Sequence, residues 1–276
     1  MDQYRVFGNP INQSRSPFIH QSFAQSAKHI LNYKSELVAL DYFTKRIQEF
    51  AAEKGKGANI TVPFKEQALA VCDQLSERAR LAGAVNTLSF IDGNILGDNT
   101  DGLGLIQDLL RNQVVLKGSR ILLLGAGGAA KGVILPLLEQ QPEFIVIANR
   151  TVSKAEELCQ QFNFDKNKVK LTACGFEAVV GNKFDIIINA TSASLTGNVP
   201  PISTQLIKAD VVCYDMVYGK ELTPFLNWAK QQGSDHIIDG LGMLVGQAAE
   251  SFLLWRGVKP EVESVINSLR KSLAAE

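Results

Sequence analysis

The feature that most constrains the fold of this 276-residue chain is a glycine-rich turn between an apolar run and a segment of helical periodicity. Residues 120–124 read as a buried strand, and the apolar side chains at 133, 134, 137 and 138 share one helix face. The turn between them has the sequence Gly125-Ala126-Gly127-Gly128-Ala129-Ala130. A strand, a G-x-G-x-x-A turn and a helix in this order are the fingerprint of a dinucleotide-binding βαβ unit.

The small residues of this turn each have a physical role in that fingerprint. Gly125 permits the tight turn, Gly127 lets the backbone approach a pyrophosphate, and Ala130 allows helix and strand to pack closely. The pyrophosphate is expected on the unpaired N–H groups where the helix begins. A flexible loop is the alternative for such a turn taken alone, and the flanking strand and helix favour the cofactor site. The expected contacts are Gly125, Ala126, Gly127, Gly128 and Ala129.

The second strand of this unit predicts which dinucleotide is bound. Residues 144–148 form an apolar run whose end lies about 20 to 25 residues past the first glycine. NAD-binding folds usually carry an Asp or Glu there for the ribose 2′-hydroxyl, whereas an arginine accommodates the 2′-phosphate of NADP. No carboxylate is present at this strand end, so NADP is the expected cofactor. The expected phosphate ligands are Asn149, Arg150, Thr151 and Lys154. An ordinary helix N-cap beside a solvated arginine is the alternative.

Composition and charge narrow the class of protein further. Short apolar runs alternate with helical segments, which predicts an α/β protein with mainly parallel strands, and Asp92-Gly93 between apolar residues predicts one hairpin. Lys and Arg total 28 and Asp and Glu total 28, so no net charge attracts nucleic acid or an anionic membrane. The four cysteines are far apart and read as reduced thiols. Without a predicted membrane span or signal peptide, we expect a cytoplasmic monomer or homodimer with small-molecule partners.

Two joints in the sequence predict two lobes. After Asp101 an amphipathic stretch leads into the strand at Arg120, and a glycine-bounded segment occupies residues 233–240 before a long helical pattern. We expect the last helices to return to the first lobe, which leaves a cleft between the lobes as the place for ligands. The expected domains are a discontinuous α/β substrate-binding domain at 1–101 and 235–276 and an inserted Rossmann-type dinucleotide-binding domain at 102–234.

Polar residues outside the dinucleotide unit follow predicted strands. Residues 57–65 read as a strand that runs into a helix, with Asn59 and Thr61 on one face by the period of two. Lys65 falls just past the strand end, where open α/β sheets bind ligands.

Further polar residues have simpler alternatives. Asn86 and Asp101 lie at strand-to-turn positions, and a single Asn or Asp is common in a turn for its own sake. Ser16 precedes Pro17 where a helix is expected to begin, so it also fits a helix N-cap.

Taken together, these segments resemble the shikimate dehydrogenase family. The resemblance runs over nearly the whole chain, and several motifs in the right order are far more specific than any one of them. The matching segments are Ser14 to Pro17, Asn59 to Lys65, Ala82 to Thr87, Asn99 to Gly104, the turn at Gly125, Asn149 to Thr151, Asn189 to Ser192, Asp215 to Tyr218 and Gly240 to Gln247.

The resemblance implies reversible hydride transfer between NADPH and the ketone of 3-dehydroshikimate, which gives shikimate on the route to chorismate and aromatic amino acids. It implies Lys65 and Asp101 as the catalytic pair. The implied substrate contacts are Ser14, Ser16 and Thr61 at the carboxylate, Asn59, Asn86 and Gln247 at ring hydroxyls, and Tyr218 near the substrate. Met216 and Gly240 are expected to line the nicotinamide pocket, with Thr191 as a further cofactor contact.

The implied pair suits this chemistry. Hydride delivery to a carbonyl builds negative charge on the oxygen, so a nearby proton donor or cation must stabilise it. Lys65 can do so as an ammonium, while Asp101 fixes the amine and can accept from a substrate hydroxyl. The sequence leaves open which of the two transfers the proton, and a purely structural ion pair is the alternative.

A few positions depart from the common pattern of the family. Ser194 stands where glycine is frequent, so the loop geometry is expected to differ if this position requires a positive φ. Lys154 replaces a frequent arginine and lacks its bidentate fork. The histidines at 20, 29 and 236 offer no metal-binding spacing, and we interpret them as structural or solvated.

Two other functions are compatible with these patterns. One is a quinate/shikimate dehydrogenase that uses NAD as well as NADP, although Arg150 without a strand-end acid speaks against it. The other is a catalytically silent NADP-binding regulator. A regulator has no need of a proton donor, so the presence of both Lys65 and Asp101 favours an enzyme.

Overall fold

The computed structural model describes residues 1–162, 169–179 and 184–275, and these form two compact units. The first unit comprises Met1–Gly104 and Leu244–Ser268, and the second comprises Leu105–Met243 and Leu269–Glu276. The expected α/β class is confirmed, because helices and strands alternate along both units. The sequence-based domain bounds and the cleft stay predictions.

The first unit contains a six-stranded sheet. Its strands are β1 (Asp2–Gly8), β2 (Leu31–Leu37), β3 (Gly57–Ile60), β4 (Gln74–Leu75), β5 (Thr87–Ile91) and β6 (Asn94–Asp98). They lie in the order β2-β1-β3-β5-β6-β4. β1 pairs in parallel with β2 and β3, β5 is antiparallel to β3 and β6, and β4 is parallel to β6. The sheet is therefore mixed. Because β1 and β3 are parallel, the polar segments that follow them begin at the same end of the sheet.

The predicted hairpin joins β5 to β6. Asp92 and Gly93 both have positive φ, 49° and 81°, as a two-residue type I′ turn requires. The register opposes Thr87 to Asp98, so Asn86 and the chain that follows β6 emerge side by side at the open end of the hairpin.

The second unit contains a six-stranded, wholly parallel sheet. Its strands are β7 (Arg120–Leu124), β8 (Phe144–Ala148), β9 (Lys170–Cys174), β10 (Ile186–Asn189), β11 (Val212–Asp215) and β12 (His236–Asp239). They lie in the order β12-β11-β10-β7-β8-β9. Counted from the first strand of this sheet, that is the 3-2-1-4-5-6 order of the Rossmann fold. The expected dinucleotide-binding fold is confirmed, with its topological switch point between β7 and β10.

The helices are α1 (Ser16–Ser26), α2 (Phe43–Ala52), α3 (Glu77–Ala82), α4 (Asp101–Arg111), α5 (Gly128–Glu139), α6 (Val152–Phe162), α7 (Pro224–Gln231), α8 (Leu241–Arg256) and α9 (Glu263–Ala275). Within the described part of the chain, none of them has the length and apolar character to cross a bilayer. Two local expectations were wrong. Ser16 is the first residue of α1 rather than its cap, which is Arg15, and Lys65 leads into a short 3₁₀ helix at Gln67–Val71.

Each unit has its own apolar core. In the first unit the rings of Phe43 and Phe64 stack with centroids 4.5 Å apart beneath β3 and β5. In the second, Leu122, Ile187 and Phe225 pack between the sheet and α7. Each fully buried side chain of this size stabilises the fold by about 1.5–3 kcal/mol. The four cysteines are free, as expected, and burial raises the pKa of the Cys213 thiol to about 11.

Candidate active site

Lys65 and Asp101 form an ion pair in the first unit. Lys65 follows β3, and Asp101 is the first residue of α4, where the helix dipole favours a negative charge. The Lys65 Nζ donates to Asp101 Oδ2 at 2.7 Å, with 31% of the lysine side chain and 14% of the aspartate side chain exposed. The pair is thus held in place yet reachable by a ligand.

A second donor fixes the other oxygen of Asp101. The backbone N–H of Thr100 donates to Asn86 Oδ1 at 2.9 Å. A backbone N–H can only donate, so this contact identifies the oxygen of the amide and turns its nitrogen the other way. Asn86 Nδ2 then donates to Asp101 Oδ1 at 2.8 Å. Both oxygens of Asp101 therefore accept hydrogen bonds, as an ionised carboxylate does.

Asn59 lies in a buried polar network behind this pair. Its Oδ1 accepts from the Tyr33 hydroxyl at 2.8 Å, and its Nδ2 donates to Ser251 Oγ at 3.0 Å and to the Asn86 carbonyl at 3.1 Å. The Thr87 hydroxyl lies 2.7 Å from Ser251 Oγ and donates to Asn86 Oδ1 at 2.8 Å. These bonds connect Asn59 with Asn86 and hold both amides in one orientation.

The other expected substrate ligands of the first unit lie on three segments. Ser14 and Ser16 are close together where α1 begins, and the Ser14 hydroxyl accepts from the Ser16 N–H at 3.3 Å. Thr61 directly follows β3 and is half-buried. Gln247, on α8, lies with its Oε1 3.4 Å from Asn86 Nδ2. Gln247 and Asn86 are brought together across 161 positions of sequence.

Tyr218, the remaining expected substrate ligand, belongs to the second unit. It follows β11 in the segment that also contains Met216 and is half-buried. A Cβ on Gly240 would collide with the backbone carbonyl of Met216, so only glycine permits this close approach. The structure therefore brings together the two residues expected to line the nicotinamide pocket.

His20 is buried behind the network with only 1% of its surface exposed. Its ring stacks on that of Tyr33 with centroids 4.3 Å apart. Among the described residues, neither ring nitrogen lies in hydrogen-bonding geometry with a partner, although the nearby Asn59 amide partly offsets the effect of burial on the pKa. Burial lowers the pKa of His20 to about 3, so the ring is neutral and structural rather than a general acid. Among the described residues, no cluster of His, Cys, Asp and Glu could hold a metal ion.

The glycine turn of the second unit has the geometry of a pyrophosphate cradle. Gly125 has φ +106°, and a Cβ there would lie 3.1 Å from Thr191 Cγ2 and 3.2 Å from the Ala190 carbonyl carbon. Gly127 is the N-cap of α5 and offers no side chain to its first N–H groups. Among the described residues, a Cβ on Gly127 or Gly128 would meet no atom within 4 Å, so the backbone is accessible to a bound group.

Exposed cationic side chains follow β8, on one side of that turn. Arg150 and Lys154 are both exposed, and no described carboxylate forms an ion pair with either. Asn149 Nδ2 donates to the Thr151 carbonyl at 2.8 Å, which shapes the entry to α6. The segment therefore offers uncompensated positive charge and no carboxylate, a set of groups that fits a phosphate monoester.

On the other side of the turn, the ends of β10 and β11 carry a hydrogen-bonded pair. Asn189 Oδ1 accepts from the Thr191 N–H at 3.1 Å, and Asn189 Nδ2 donates to Asp215 Oδ1 at 3.2 Å. Burial raises the pKa of Asp215 above its usual value, and four donors, Ser194 first among them, oppose that shift. Ser194 does not have a positive φ, and its hydroxyl donates to Asp215 Oδ2 at 2.6 Å. The serine is therefore accommodated without strain.

Sequence reasoning missed several residues that hold the candidate site. Thr87 and Asp215 lay inside segments that were singled out, but no role was given to either. Tyr33 and Ser251 lay outside every motif, and the only signal for Ser251 was its position one helical turn after Gln247. These residues contact one another only after folding.

Family models match three parts of the chain. The shikimate dehydrogenase substrate binding domain matches residues 6–88, the shikimate / quinate 5-dehydrogenase model matches residues 108–197, and the shikimate 5′-dehydrogenase C-terminal domain matches residues 240–270.

The chain is also similar to individual proteins over nearly its whole length. It is 61% identical to the protein named shikimate dehydrogenase (NADP(+)) of Colwellia psychrerythraea, over 99% of this chain and 98% of that one. An Ael1 enzyme from Pseudomonas putida has a similar structure, with a TM-score of 0.93, 46% identity and 98% of each chain covered. A shikimate 5-dehydrogenase from Thermus thermophilus, solved with NADP(H) and shikimate, gives a TM-score of 0.84 and 30% identity over 99% of this chain and 100% of that one.

Proposed function

The chain belongs to the shikimate dehydrogenase family, and we propose that it catalyses the reversible NADPH-dependent reduction of 3-dehydroshikimate to shikimate. It is an oxidoreductase with NADP(H) as its cofactor, acting on the route to chorismate and aromatic amino acids. One observation carries the catalytic assignment. The Lys65 ammonium and the Asp101 carboxylate are 2.7 Å apart, beyond the carboxyl end of β3, and both remain partly exposed.

We assign the proton to Lys65. Both oxygens of Asp101 accept hydrogen bonds, one from Lys65 and one from Asn86, so a proton on Asp101 would have to face one of these donors. When bound, NADPH supplies the hydride that reduces the substrate carbonyl carbon. The Lys65 ammonium gives its proton to the resulting alkoxide, and Asp101 then holds the neutral amine until solvent restores the proton.

The substrate assignments follow the donors around this pair. Ser14, Ser16 and Thr61 offer hydroxyls suited to a carboxylate, and Gln247 offers an amide suited to a ring hydroxyl. The amides of Asn59 and Asn86 already form hydrogen bonds with protein atoms. We therefore propose that they bind substrate hydroxyls only if these hydrogen bonds rearrange. Tyr218 completes the proposed set.

The cofactor assignments rest on the second unit. The N–H groups of residues 125–129 are proposed to hold the pyrophosphate at the start of α5. Arg150 and Lys154, with the neighbouring Asn149 and Thr151, are proposed to hold the 2′-phosphate, because their charge is not neutralised by a described carboxylate. Thr191, Met216 and Gly240 are proposed to line the nicotinamide end.

The proposal extends to several coarser properties. We keep an inserted dinucleotide-binding domain, a cytoplasmic location and a monomeric or homodimeric state as parts of it. The similarity of the chain to biosynthetic NADP-dependent enzymes supports the cytoplasmic location. Neither quinate oxidation with NAD nor a silent regulatory role is favoured by a specific contact. Light scattering on the purified chain measures the oligomeric state.

The experiment that tests the function compares substrates and cofactors on one protein. NADPH formation is followed by absorbance with shikimate or quinate and with NADP+ or NAD+. We expect activity with shikimate and NADP+. Lys65→Ala should lower kcat by about 10²- to 10⁴-fold, with a smaller change in KM, because the lysine acts on the transition state.

Lys208→Ala is the matched control for this experiment, since Lys208 is an exposed lysine outside the proposed site. It should retain wild-type kcat. Turnover of quinate with NAD+ at the rate of shikimate with NADP+ would favour the broader enzyme, and no turnover of either acid would favour the regulator. An unchanged kcat in Lys65→Ala would remove Lys65 from the reaction.

A further inference from the structure

A carboxylate that has no cationic partner among the described residues is buried at the end of β11. Asp215 has 0% of its surface exposed, and no described lysine, arginine or histidine forms an ion pair with it. Burying an uncompensated charge is costly in general, so such a group has a structural or functional reason to be charged. The hydrogen bonds around Asp215 decide first whether it is charged at all.

Two of its partners can only donate. The backbone N–H of Val217 donates to Asp215 Oδ1 at 3.1 Å. Asn189 presents its nitrogen, because its own oxygen is identified by the bond from the Thr191 N–H. Oδ1 of Asp215 therefore accepts two hydrogen bonds and carries no proton.

The two hydroxyl partners are turned towards the other oxygen. Thr223 caps α7, where its Oγ1 accepts from the Leu226 N–H at 3.3 Å, so its hydrogen is left to donate to Asp215 Oδ2 at 2.6 Å. Ser194 Oγ lies 2.6 Å from the same oxygen and 3.4 Å from Asn189 Nδ2, from which it accepts. Four hydrogens thus converge on Asp215, which is the arrangement of an ionised carboxylate.

The fold indicates which half of a bound dinucleotide lies nearest. In this fold each half of the sheet binds one nucleotide, on either side of the switch point. Arg150 follows β8 and is assigned to the adenosine 2′-phosphate, so the nicotinamide half belongs over β10 and β11. Gly125 of the pyrophosphate turn approaches Thr191 after β10, which makes the two sites continuous. Asp215 ends β11 on this side, and Met216 follows it.

We propose that Asp215 is a positioning residue whose negative charge also favours the oxidised, cationic nicotinamide over the reduced, neutral one. The inference rests on the proposed NADP(H) site. The hydrogen bonds of Asp215 with Ser194, Val217 and Thr223 fix the segments after β10 and β11 in place. Its charge stabilises the positive charge that appears on the ring as hydride leaves NADPH, because attraction between charges is strong where water is excluded.

A purely structural hub is the rival explanation. Four donors need an acceptor, and a carboxylate satisfies them all. The two explanations predict different changes in the ratio of the Kd for NADP+ to the Kd for NADPH. Loss of a hub weakens NADP+ and NADPH binding alike, whereas loss of a charge weakens binding of the cationic form more.

The test measures Kd for NADPH by fluorescence and Kd for NADP+ by competition, on the full chain. Asp215→Asn removes the charge at nearly constant shape, and the Ser194 and Thr223 hydroxyls can rotate to accept from the new amide. We expect the Kd of NADP+ to rise about fivefold or more beyond any rise in the Kd of NADPH. Ser194→Ala removes one donor but keeps the charge, so both constants should change by the same factor.

Each outcome has a distinct meaning. Equal weakening of both forms in Asp215→Asn overturns the charge effect and leaves a hub. Failure of the wild type to bind either form overturns the proposed function itself. If Asp215→Asn shows no thermal unfolding transition, Asp215→Ser takes its place with the same expected ratio. Asp215→Glu keeps the charge, and a ratio shift in that variant as large as in Asp215→Asn would also contradict the proposal.

Discussion

At the scale of single residues, Arg150 is where the choice between NADP and NAD is expected to lie. Its side chain is exposed and unpaired among the described residues, so substitution removes a phosphate ligand without breaking a structural contact. Arg150→Ala should weaken NADP+ binding about tenfold or more, as loss of a charge-assisted hydrogen bond implies, and leave NAD+ binding within about twofold. Calorimetric titration of both cofactors measures this.

The conservative change Arg150→Lys serves as the control for that titration. It keeps the charge but not the bidentate fork, so its NADP+ affinity should fall between those of the wild type and Arg150→Ala. Equal losses of NADP+ and NAD+ affinity in Arg150→Ala would contradict a 2′-phosphate role.

His20 makes the stability of the fold depend on pH. Its pKa is lowered by burial to about 3, whereas in the unfolded chain an ordinary histidine titrates near pH 6.5. The unfolded state therefore binds a proton that the folded state excludes, and the stability present above pH 6.5 is lost as the pH falls towards 3. Between pH 7.5 and pH 5 this one residue should lower the free energy of unfolding by about 2 kcal/mol.

Urea unfolding of His20→Phe at the two pH values tests this effect. Phenylalanine keeps the stacking on Tyr33 but does not titrate, so the pH-dependent loss should be smaller by about 2 kcal/mol than in the wild type. His236→Phe, at an exposed position, should retain the loss. An unchanged pH dependence in His20→Phe would show that the ring is protonated or accessible in the folded chain.

The same residue scale shows where sequence reasoning stops. Motifs were enough to single out Lys65, Asp101 and Arg150 as candidate site residues, because each motif consists of a few consecutive residues. The network behind them did not, since Asn59 meets Ser251 across 192 positions. A serine on a helix has no local mark that distinguishes a solvated hydroxyl from a buried one.

At the scale of elements, local signals predicted what local physics decides. The strand, glycine turn and helix from β7 to α5 could be predicted because the glycines meet specific requirements of the backbone. The Asp92-Gly93 hairpin could be predicted for the same reason. The two-residue strand β4 and the order of the first sheet were not predicted, because pairing between distant strands leaves no periodic trace. The segment after Lys65 was predicted as an ordinary helix and is a short 3₁₀ helix, because its apolar residues fit either kind of helix.

The turn between β7 and α5 provides the prediction at this scale. Gly125→Ala places a Cβ at φ +106° and within 3.2 Å of Ala190 and Thr191, so it should weaken NADPH binding and stability together. Gly93→Ala has the same kind of strain at φ +81°, but no described residue lies within 4 Å of the added Cβ. It should cost about 1–2 kcal/mol of stability and leave NADPH binding unchanged. Fluorescence titration and urea unfolding measure the two effects, and wild-type NADPH affinity in Gly125→Ala would be inconsistent with the cradle.

At the scale of the whole molecule, the last residues of the chain complete the second unit. Leu269 and Leu273 of α9 are buried, with 2% and 8% of their surfaces exposed, and Arg270 forms a paired ion bridge with Asp239 at the end of β12. Removal of residues 269–276 should destabilise that unit by about 3–6 kcal/mol, the value of two buried leucines. Thermal unfolding followed by NADPH fluorescence measures this loss.

Arg270→Ala is the matched control for the truncation. Arg270 is 45% exposed, and exposed ion pairs contribute only about 0–1 kcal/mol, so this variant should unfold close to the wild-type temperature. A truncated chain that unfolds and binds NADPH like the wild type would mean that the final helical turns are dispensable.

The contribution of these final residues has a consequence for how the protein is made. A ribosome translates the segment from Leu105 to Met243 before it reaches Leu269. The nascent segment from Leu105 to Met243 must therefore wait, incompletely covered, until residues 269–276 have also emerged. Newly synthesised chains are most vulnerable to proteases and to chaperone capture during that interval, and slow codons for residues 244–276 would prolong it.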